Sequence, residues 1–526
     1  MIKVLNKNYY YITGACVFTY LFYLIFEYIF TNGTMGVPLD DTWIHFQFAD
    51  NFTKGFFYQY NPGEPTAGTT SPLYVIVLGA FSILITDFII SSVFLSAAFH
   101  LLSCIFIYKI SILIFKSNDS PLKDFDSKKI SPEFISLLVA SLTVFTGRFT
   151  WASLSGMETT MVTFFCIVGV YHHIKNLQQN RFTIVPCLFI ALATISRPEG
   201  FLLFGLYLID VIINLLKNKN IKNNFLKLML AILIFAIITL PYLIFSFKIS
   251  GHFFPNTFRG LGGGLNFIPD FEYLRIVTIY FFRDNFAVGL LYLLSIIFYF
   301  SNLKKYFKEL KDINLIFLWI IFLPVIFSVL IPNWRHHVRY MIPLLPFINL
   351  AAIYLFMIII NKERLMKNFF LKKKNALWII PVISLAYFIV YAIALGKNTD
   401  NINDQQVKLA RWVNENVGRN ETIALNDIGA ITFINKNRVI DIAGLVTPEM
   451  LHYRQYYGKD NLDSVNYLLK KNNVSYIIIY DDWFKEYLKE YGKDLTFITS
   501  AVLEDNTICG GTEMKVYKTN FNVRKY

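Results

Sequence analysis

The chain has 526 residues, of which 55% are hydrophobic and 17% aromatic, and apolar runs of membrane-spanning length recur along it, which excludes an ordinary soluble protein. A net charge of +13 would suit a nucleic-acid binder, but residues 397–526 hold 17 basic and 17 acidic side chains, so the whole excess lies in the apolar part. There it orients the chain in a bilayer. The five cysteines are scattered without the spacing of a zinc site or a disulfide framework, which predicts packing roles.

The first apolar run lacks a small-residue cleavage site, which predicts a retained membrane span. It is followed by the stretch Pro38–Leu78, which carries the adjacent acids Asp40 and Asp41 and two turns rich in Gly, Pro and Thr. One acid could simply cap the helix that follows, since Asp is a favoured N-cap. A cap needs only one acid, and carboxylates beside a bilayer are costly without a role, so the pair also predicts a chemical function.

The apolar runs predict about eleven transmembrane helices, at 9–31, 89–115, 133–147, 158–174, 182–196, 199–216, 225–247, 285–303, 313–332, 338–361 and 375–396. The run 72–86 is ambiguous. If it crossed the membrane, the Lys-rich loops 304–311 and 362–374 would lie outside, so we predict a helix at or dipping into the outer interface. The inner segments then hold about 22 Lys and Arg and the outer segments about nine.

This topology places several polar clusters in outer loops: Arg148, Glu158, Arg197, Glu199, His252, Asn256, Arg259, Arg335, His336, His337, Arg339 and Tyr340. Arg197 and Glu199 suit an ion pair that closes a tight turn. The segment 335–339 runs against the positive-inside trend, and its Arg and His residues suit an anion such as a phosphate, or lipid head groups. The adjacent histidines would diverge on a helix and have no evident third ligand, so no metal site is predicted.

After Gly396 the composition becomes that of a soluble domain, predicted to lie outside the membrane. Helices are predicted at 405–416 and 463–471 and strands at 422–426, 438–442 and 474–480. Helices alternating with strands are typical of a small sheet with parallel strands. The predicted architecture is therefore a polytopic all-α membrane domain, 1–396, followed by an extracytoplasmic α/β domain, 397–526.

Several motifs together resemble a known family: DDTWIHFQFADNFTKGFFYQYNPGEPTAGTTSPLY, GMET, SRPEG, PNTF, RYMIPLLPF, DIGAITF and VIDIAGLVTPE. Their order over nearly the whole chain resembles the GT-C superfamily of membrane glycosyltransferases. The resemblance is strongest to the branch with the mycobacterial terminal arabinofuranosyltransferases. It implies a polyprenyl-phosphate sugar donor, and it implies that the acidic motif supplies the catalytic base, Asp40 or Asp41, with Asp40 favoured as the first acid. The basic contact to the donor phosphate maps to Arg339 or Arg335.

The residues support the same chemistry independently. A sugar on a phosphate already has a good leaving group, so one base suffices, unlike glycoside hydrolysis with its two carboxylates. The remaining candidates for substrate contact are His336, Arg197, Glu158 and Asn256. The expected protein is thus an inverting glycosyltransferase of a bacterial plasma membrane that acts on an extracytoplasmic glycan, lipid or protein. No cofactor is required by the motifs, and a divalent cation is left open.

Two alternatives remain at this stage. A transporter or flippase of lipid-linked saccharides usually needs polar or broken helices near the midplane, whereas the runs here are mostly clean. A non-catalytic envelope assembly protein would use the C-terminal domain and would have no need of the acid pair. Donor sugar, acceptor and linkage are not encoded in any motif.

Overall fold

The structure is a computed structural model that describes residues 7–521 except 124, 126–128, 217–220, 257, 259–263, 265, 309–310 and 452–461. Its larger part is helical. The helices are α1 Lys7–Phe30, α2 Asp40–Thr53, α3 Pro72–Ser82, α4 Phe88–Phe115, α5 Pro132–Val144, α6 Gly147–Ser153, α7 Thr159–Gln178, α8 Val185–Ser196, α9 Gly200–Leu216, α10 Ile221–Ser250, α11 Phe271–Asp284, α12 Phe286–Ser301, α13 Leu303–Lys308, α14 Lys311–Leu330, α15 Leu345–Lys362, α16 Arg364–Lys372, α17 Ile379–Ile383 and α18 Leu385–Ile402. A two-stranded ribbon, β1 Gln59–Asn61 with β2 Glu64–Pro65, lies between α2 and α3.

Each predicted apolar run is helical, which confirms the polytopic helical architecture. Within the described residues, six helical segments are long and apolar enough to cross a membrane, or seven if α5 and α6, which are bent by 64° at the break between them, form one span. Four further apolar helices are shorter, α3, α8, α9 and α12. Apolar side chains cover the lipid-facing as well as the packed faces of these helices, as expected for a multi-pass membrane protein.

The ambiguous run 72–86 forms α3, which has only 11 residues. At 1.5 Å per residue such a helix is roughly half as long as a bilayer core is thick. Its buried face, which includes Tyr74 and Leu78, packs on α2 and α4. The assignment of this segment as a non-crossing helix therefore stays a prediction that its length favours.

The C-terminal part contains a five-stranded sheet in the order β4-β3-β5-β7-β6. Its elements are α19 Lys408–Asn416, β3 Thr422–Leu425, α20 Gly429–Asn435, β4 Arg438–Asp441, α21 Leu462–Lys471, β5 Val474–Ile479, α22 Lys485–Tyr491, β6 Leu495–Val502 and β7 Glu513–Thr519. The predicted strands pair in parallel, β3 with both β4 and β5. Sequence reasoning missed α20 and the antiparallel strands β6 and β7.

The last membrane helix runs into the C-terminal part without a loop. A π-helical turn, Asn403–Val407, joins α18 to α19, so the predicted boundary at 396 falls inside a helix. The division into two domains stays a prediction.

The C-terminal part contacts strand β1, which follows α2. The Tyr60 hydroxyl donates to the Ile428 carbonyl at 2.6 Å. The Asn61 side chain donates to the Val439 carbonyl at 2.9 Å and accepts from the Val439 amide at 3.0 Å, so it completes the free edge of β4. These contacts fix the position of α20 against the start of α2, where the two acids lie.

The charge pattern predicts the sidedness of these parts. In a Cys509→Ser background, a cysteine at the exposed Asn118 should be protected from an impermeant thiol reagent in intact cells. A cysteine at the exposed Glu504 should be labelled, because it lies in the C-terminal part. Labelling of intact and permeabilised cells provides the measurement, and the reverse pattern would show that the segment 72–86 crosses the membrane.

Candidate active site

The two adjacent acids lie in the first turn of α2, but neither caps that helix. The N-cap position is Leu39, with an extended backbone and no side-chain cap. Negative side chains here are still favoured by the helix dipole. Because consecutive residues on a helix point in directions about 100° apart, Asp40 and Asp41 face different surroundings.

Asp40 faces the C-terminal part. Its carboxylate accepts hydrogen bonds from the backbone amides of Gly429 at 2.7 Å and Ala430 at 2.8 Å, so both of its oxygens are engaged by the first turn of α20. Burial raises the pKa of Asp40, and nearby Asp427 adds to the rise, while the two amide donors bind the ionised form and oppose it. Asp40 thus joins the membrane part to the C-terminal part.

The close approach at Gly429 requires a glycine. A Cβ added there would lie 2.1 Å from the Asp40 backbone oxygen and 2.6 Å from a carboxylate oxygen. No rotamer change relieves a clash with a backbone atom. The sequence segment Asp427-Ile428-Gly429-Ala430 therefore serves as a docking point for Asp40.

Gly429→Ala should therefore loosen the contact between α20 and α2. Amide hydrogen exchange should increase in peptides covering 429–435 and 40–53, while the distal strands β6 and β7 stay protected. The matched control is Gly492→Ala, since an added Cβ at Gly492 has nothing within 4 Å. Unchanged exchange in Gly429→Ala would contradict the docking contact.

Asp41 faces an open part of the site. Its side chain is 35% exposed, and one oxygen lies 2.5 Å from Nη2 of Arg339, whose side chain is 11% exposed. Burial acts to raise the pKa of Asp41, but the Arg339 guanidinium outweighs it and holds the pKa below its usual value. Asp41 is therefore an ionised, accessible carboxylate at neutral pH.

Arg339 has unused donors. Its Nε and Nη1 atoms are buried and have no hydrogen-bond partner within the described part of the chain. A buried guanidinium with unsatisfied N–H groups is costly unless a ligand completes its bonds. Each of these two groups can donate to an oxygen of an anion such as a phosphate.

A buried ionic network lies beside this pair. Glu158, which directly precedes α7, accepts from Nη1 of Arg197 at 2.5 Å and contacts Nε2 of His45 at 3.1 Å. The Nε atom of Arg197 donates to Glu199 at 2.8 Å, so the ion pair expected for this turn is present. The sequence did not indicate that Arg197 also reaches Glu158.

The aromatic ring of Tyr340 connects the network to Arg339. The Arg197 guanidinium lies 4.5 Å from the ring centroid and that of Arg339 lies 5.5 Å away. Both distances fall within the range of cation–π contacts. The structure therefore brings together four of the predicted site residues, Asp41, Arg339, Glu158 and Arg197.

The other predicted residues lie at the edge of this cluster or away from it, and Arg259 lies outside the described residues. Arg335 is exposed, and its guanidinium lies 5.6 Å from the ring centroid of Trp483 in the C-terminal part. Asn256 is buried. Its backbone N–H donates to the Ala67 carbonyl at 3.1 Å, and its side-chain NH₂ donates to the Leu445 carbonyl at 3.3 Å. Asn256 therefore joins the loop that contains Ala67 to the loop that contains Leu445.

The segment before Arg339 has an unusual backbone. His336, His337 and Val338 all have positive φ, between 53° and 60°. The expectation that the two histidines sit on a regular helix is wrong, because a left-handed stretch separates Arg335 from Arg339. Three such residues without glycine store backbone strain, of order 1–3 kcal/mol each.

Contacts from several helices hold this strained segment. Nη1 of the fully buried Arg148 donates to the His337 carbonyl at 3.1 Å, and Arg148 is ion-paired with Asp284 at the end of α11. The His337 ring contacts Asn398 at 3.0 Å and packs edge-on against Trp151. Arg148 and Asp284 therefore support the segment that presents Arg339.

Burial lowers the pKa of His336 to about 4, and Arg339 acts in the same direction. His336 is thus neutral at physiological pH.

Sequence reasoning did not single out Asp427, which the C-terminal part contributes. Its carboxylate lies 2.9 Å from the Tyr480 hydroxyl and 3.1 Å from the Gln406 amide nitrogen. Burial raises the pKa of Asp427, and these two hydrogen bonds oppose the rise. The signal was present in the DIGAITF motif, but nothing in the motif indicates that its acid approaches α2.

Comparisons with known proteins support the fold. ArnT from Cupriavidus metallidurans, in a crystal structure bound to undecaprenyl phosphate, is similar with a TM-score of 0.57 at 12% identity, covering 96% of this chain and 98% of that chain. The archaeal oligosaccharyltransferase AglB from Archaeoglobus fulgidus, in complex with an inhibitory peptide and a dolichol-phosphate, is similar with a TM-score of 0.55 at 12% identity, covering 93% of this chain and 73% of that chain. At such identity the likeness shows the fold, which is GT-C-like.

Other comparisons are less informative. The arabinofuranosyltransferase AftD from Mycobacteria has a TM-score of 0.46 at 11% identity, covering 97% of this chain and 40% of that chain, which is too weak to support an argument. The arabinofuranosyltransferase branch therefore stays a prediction. A family model described as "Domain of unknown function (DUF8728)" matches residues 400–517. No curated protein sequence matches the chain.

Proposed function

We propose that this protein is an inverting glycosyltransferase that moves a sugar from a polyprenyl-phosphate donor to an extracytoplasmic acceptor. The observation that carries the proposal is the pair formed by Asp41 and Arg339: an accessible carboxylate beside a guanidinium with two unused N–H groups. The two structures of similar fold, ArnT and AglB, hold an undecaprenyl phosphate and a dolichol-phosphate. A phosphate on a polyprenyl chain is the anion that this site suits.

Arg339 is the proposed contact to the donor phosphate. Either its Nε or its Nη1 group donates to a phosphate oxygen, while Arg197, which shares the Tyr340 ring with it, keeps positive charge nearby. The anionic phosphate competes with Asp41 for the guanidinium. Donor binding thereby weakens the ion pair and makes Asp41 a stronger base at the moment it is needed.

The transfer is a single displacement. Asp41 takes the proton of the acceptor hydroxyl as the oxygen attacks the anomeric carbon, and the bond from that carbon to the phosphate oxygen breaks. The electron pair of the broken bond leaves with the polyprenyl phosphate, and its added charge is stabilised by Arg339. Attack opposite the leaving group inverts the anomeric configuration. Asp40, with both oxygens on backbone amides, is not the proposed base, in contrast to the preference that the resemblance implied.

A deletion strain tests the proposed function. Cells that lack the protein should accumulate one polyprenyl-phosphate sugar and lose one sugar from an extracytoplasmic glycan, lipid or protein, as measured by mass spectrometry of lipids and envelope material. Wild-type protein should restore both and an Asp41→Asn variant neither. Unchanged lipid-linked sugars and an unchanged envelope in the deletion strain would contradict the proposal.

A further inference from the structure

A cluster of potential metal ligands includes none of the residues described above. Cys16 on α1 and His100 and Cys104 on α4 place two sulfur atoms and one ring nitrogen within 4.8 Å of one another. All three residues are fully buried, and both cysteines are unpaired thiols. The cluster lies near the middle of both helices.

The helix geometry explains how these residues meet. His100 and Cys104 are separated by four positions, so they project from the same face of α4 one turn apart. α1 packs along that face and supplies Cys16. The sulfur of Cys104 lies 3.9 Å from Nε2 of His100. Ligands of a tetrahedral zinc ion, bound at about 2.0–2.3 Å, lie roughly 3.5–4 Å apart, so only small movements are needed.

The hydrogen bonds around His100 prepare it as a ligand. The Tyr20 hydroxyl lies 2.9 Å from the Ala97 carbonyl and 2.7 Å from Nδ1 of His100. A carbonyl only accepts, so the Tyr20 proton is directed to Ala97, and Tyr20 accepts from Nδ1–H. A neutral His100 then carries its lone pair on Nε2, the atom that faces Cys104. Metal-bound histidines are usually oriented in this way by a partner on the other ring nitrogen.

Charge balance specifies the kind of ion. Isolated charges are costly in a membrane interior, whereas two thiolates, one neutral imidazole and one divalent cation sum to zero. Binding would release the two thiol protons. A monovalent ion would leave a buried negative charge. Thiolate and imidazole ligands together suit Zn²⁺ among divalent ions.

We propose that Cys16, His100 and Cys104 form a site for a divalent, thiolate-binding cation of the zinc type, which clamps α1 to α4. The proposal does not depend on glycosyl transfer. The three ligands lie on α1 and α4, and none of them belongs to the proposed active site. We therefore expect the ion to hold the two helices together and to take no part in the transfer.

Cobalt binding to the purified full-length protein, carrying an affinity tag without histidines, tests the site. The protein is reduced, stripped with a chelator, loaded with Co²⁺ and dialysed. Wild type should retain about one cobalt ion per chain, with thiolate-to-cobalt charge-transfer absorption that Zn²⁺ abolishes by displacement. Cys104→Ser and Cys16→Ser should lose that absorption. The matched controls Cys166→Ser and Cys187→Ser, which replace buried cysteines on α7 and α8, should retain it.

Melting curves give a second readout, because an ion that binds only the folded state raises the melting temperature. Zn²⁺ should raise it in wild type and leave it unchanged in Cys104→Ser. Cobalt bound without thiolate absorption would mean an adventitious ion only and would overturn the site. A disulfide between Cys16 and Cys104 in protein purified without reductant, or absorption that persists in Cys104→Ser, would also overturn it. If a variant fails to fold, the cobalt absorption spectrum of the wild-type protein still tests the site.

Discussion

Asp41→Asn should lower the rate of sugar transfer by about 10²–10⁴-fold, the range that a positioned general base contributes. An amide keeps the shape of the side chain and can still contact the neighbouring groups, but it cannot accept the acceptor's proton. The variant should therefore bind donor and remain folded. Single-turnover kinetics at saturating donor and acceptor isolate this step from product release.

Asp50 and Asp40, which also lie on α2, serve as comparisons for Asp41. Asp50 is ion-paired with Lys54 and Lys436, so Asp50→Asn removes a charge from the same helix without touching the open part of the site. This variant should keep near-normal turnover. If Asp41→Asn also keeps it, the base assignment is wrong.

Asp40→Asn should fail in a different way. An asparagine offers one acceptor oxygen and turns its NH₂ group toward an amide of Gly429 or Ala430, so one of the two docking hydrogen bonds is lost. Activity should fall together with increased hydrogen exchange at 429–435. Loss of activity with normal exchange in Asp40→Asn, and full activity in Asp41→Asn, would return the role of base to Asp40.

Arg339→Lys should weaken donor use by about tenfold and Arg339→Ala by up to about a hundredfold, since a lost charge-assisted contact costs roughly 1.5–3 kcal/mol. Lysine keeps the charge but presents a compact ammonium in place of the planar guanidinium and its several N–H donors. Because Asp41 also loses its partner, kinetics alone are ambiguous. The inhibition constant of polyprenyl phosphate should be measured as well, and it should rise in the same order.

Arg335→Ala is the control for this prediction. Its guanidinium is exposed and lies over Trp483, so its loss should change donor kinetics much less. If both arginines bind bulk anionic lipid, their replacement will change stability or membrane association and leave donor kinetics alone. Unchanged donor and inhibitor constants in Arg339→Ala would exclude the phosphate role.

The two alternative functions predict different products. A flippase moves the lipid-linked sugar with its bond to phosphate intact, and its substrate remains a single lipid species. An assembly protein consumes no donor at all. Neither alternative needs an accessible carboxylate paired with an arginine that has unused donors. Free polyprenyl phosphate is therefore the product that distinguishes sugar transfer from both alternative functions.

The sequence predicted which face of the membrane carries the site, but it did not predict that Asp41 pairs with Arg339. Asp41 and Arg339 could be placed in outer loops because the distribution of Lys and Arg fixes sidedness. Their contact joins positions 298 residues apart. No periodicity links residues at that separation, so the ion pair required the folded chain.

The role of Asp40 was hidden for a similar reason. Its partners are the backbone amides at the start of α20, a seven-residue helix of mainly apolar and β-branched residues that no helical pattern indicates. No glycine in the sequence indicates the left-handed stretch at 336–338, because contacts with Arg148 and neighbouring helices impose it. The metal ligands likewise come from two helices, with Cys16 far from the His100 and Cys104 pair in sequence.

We propose that this chain cleaves a sugar from a polyprenyl phosphate by means of Asp41. The direct measurement is mass spectrometry of the lipids after purified protein, in proteoliposomes, is incubated with polyprenyl-phosphate sugars and solubilised envelope material from the deletion strain. Wild type should convert one lipid-linked sugar to free polyprenyl phosphate with a matching mass gain on an acceptor, and Asp41→Asn should not. Intact lipid-linked sugars after incubation with wild type, or equal conversion by both proteins, would contradict the account.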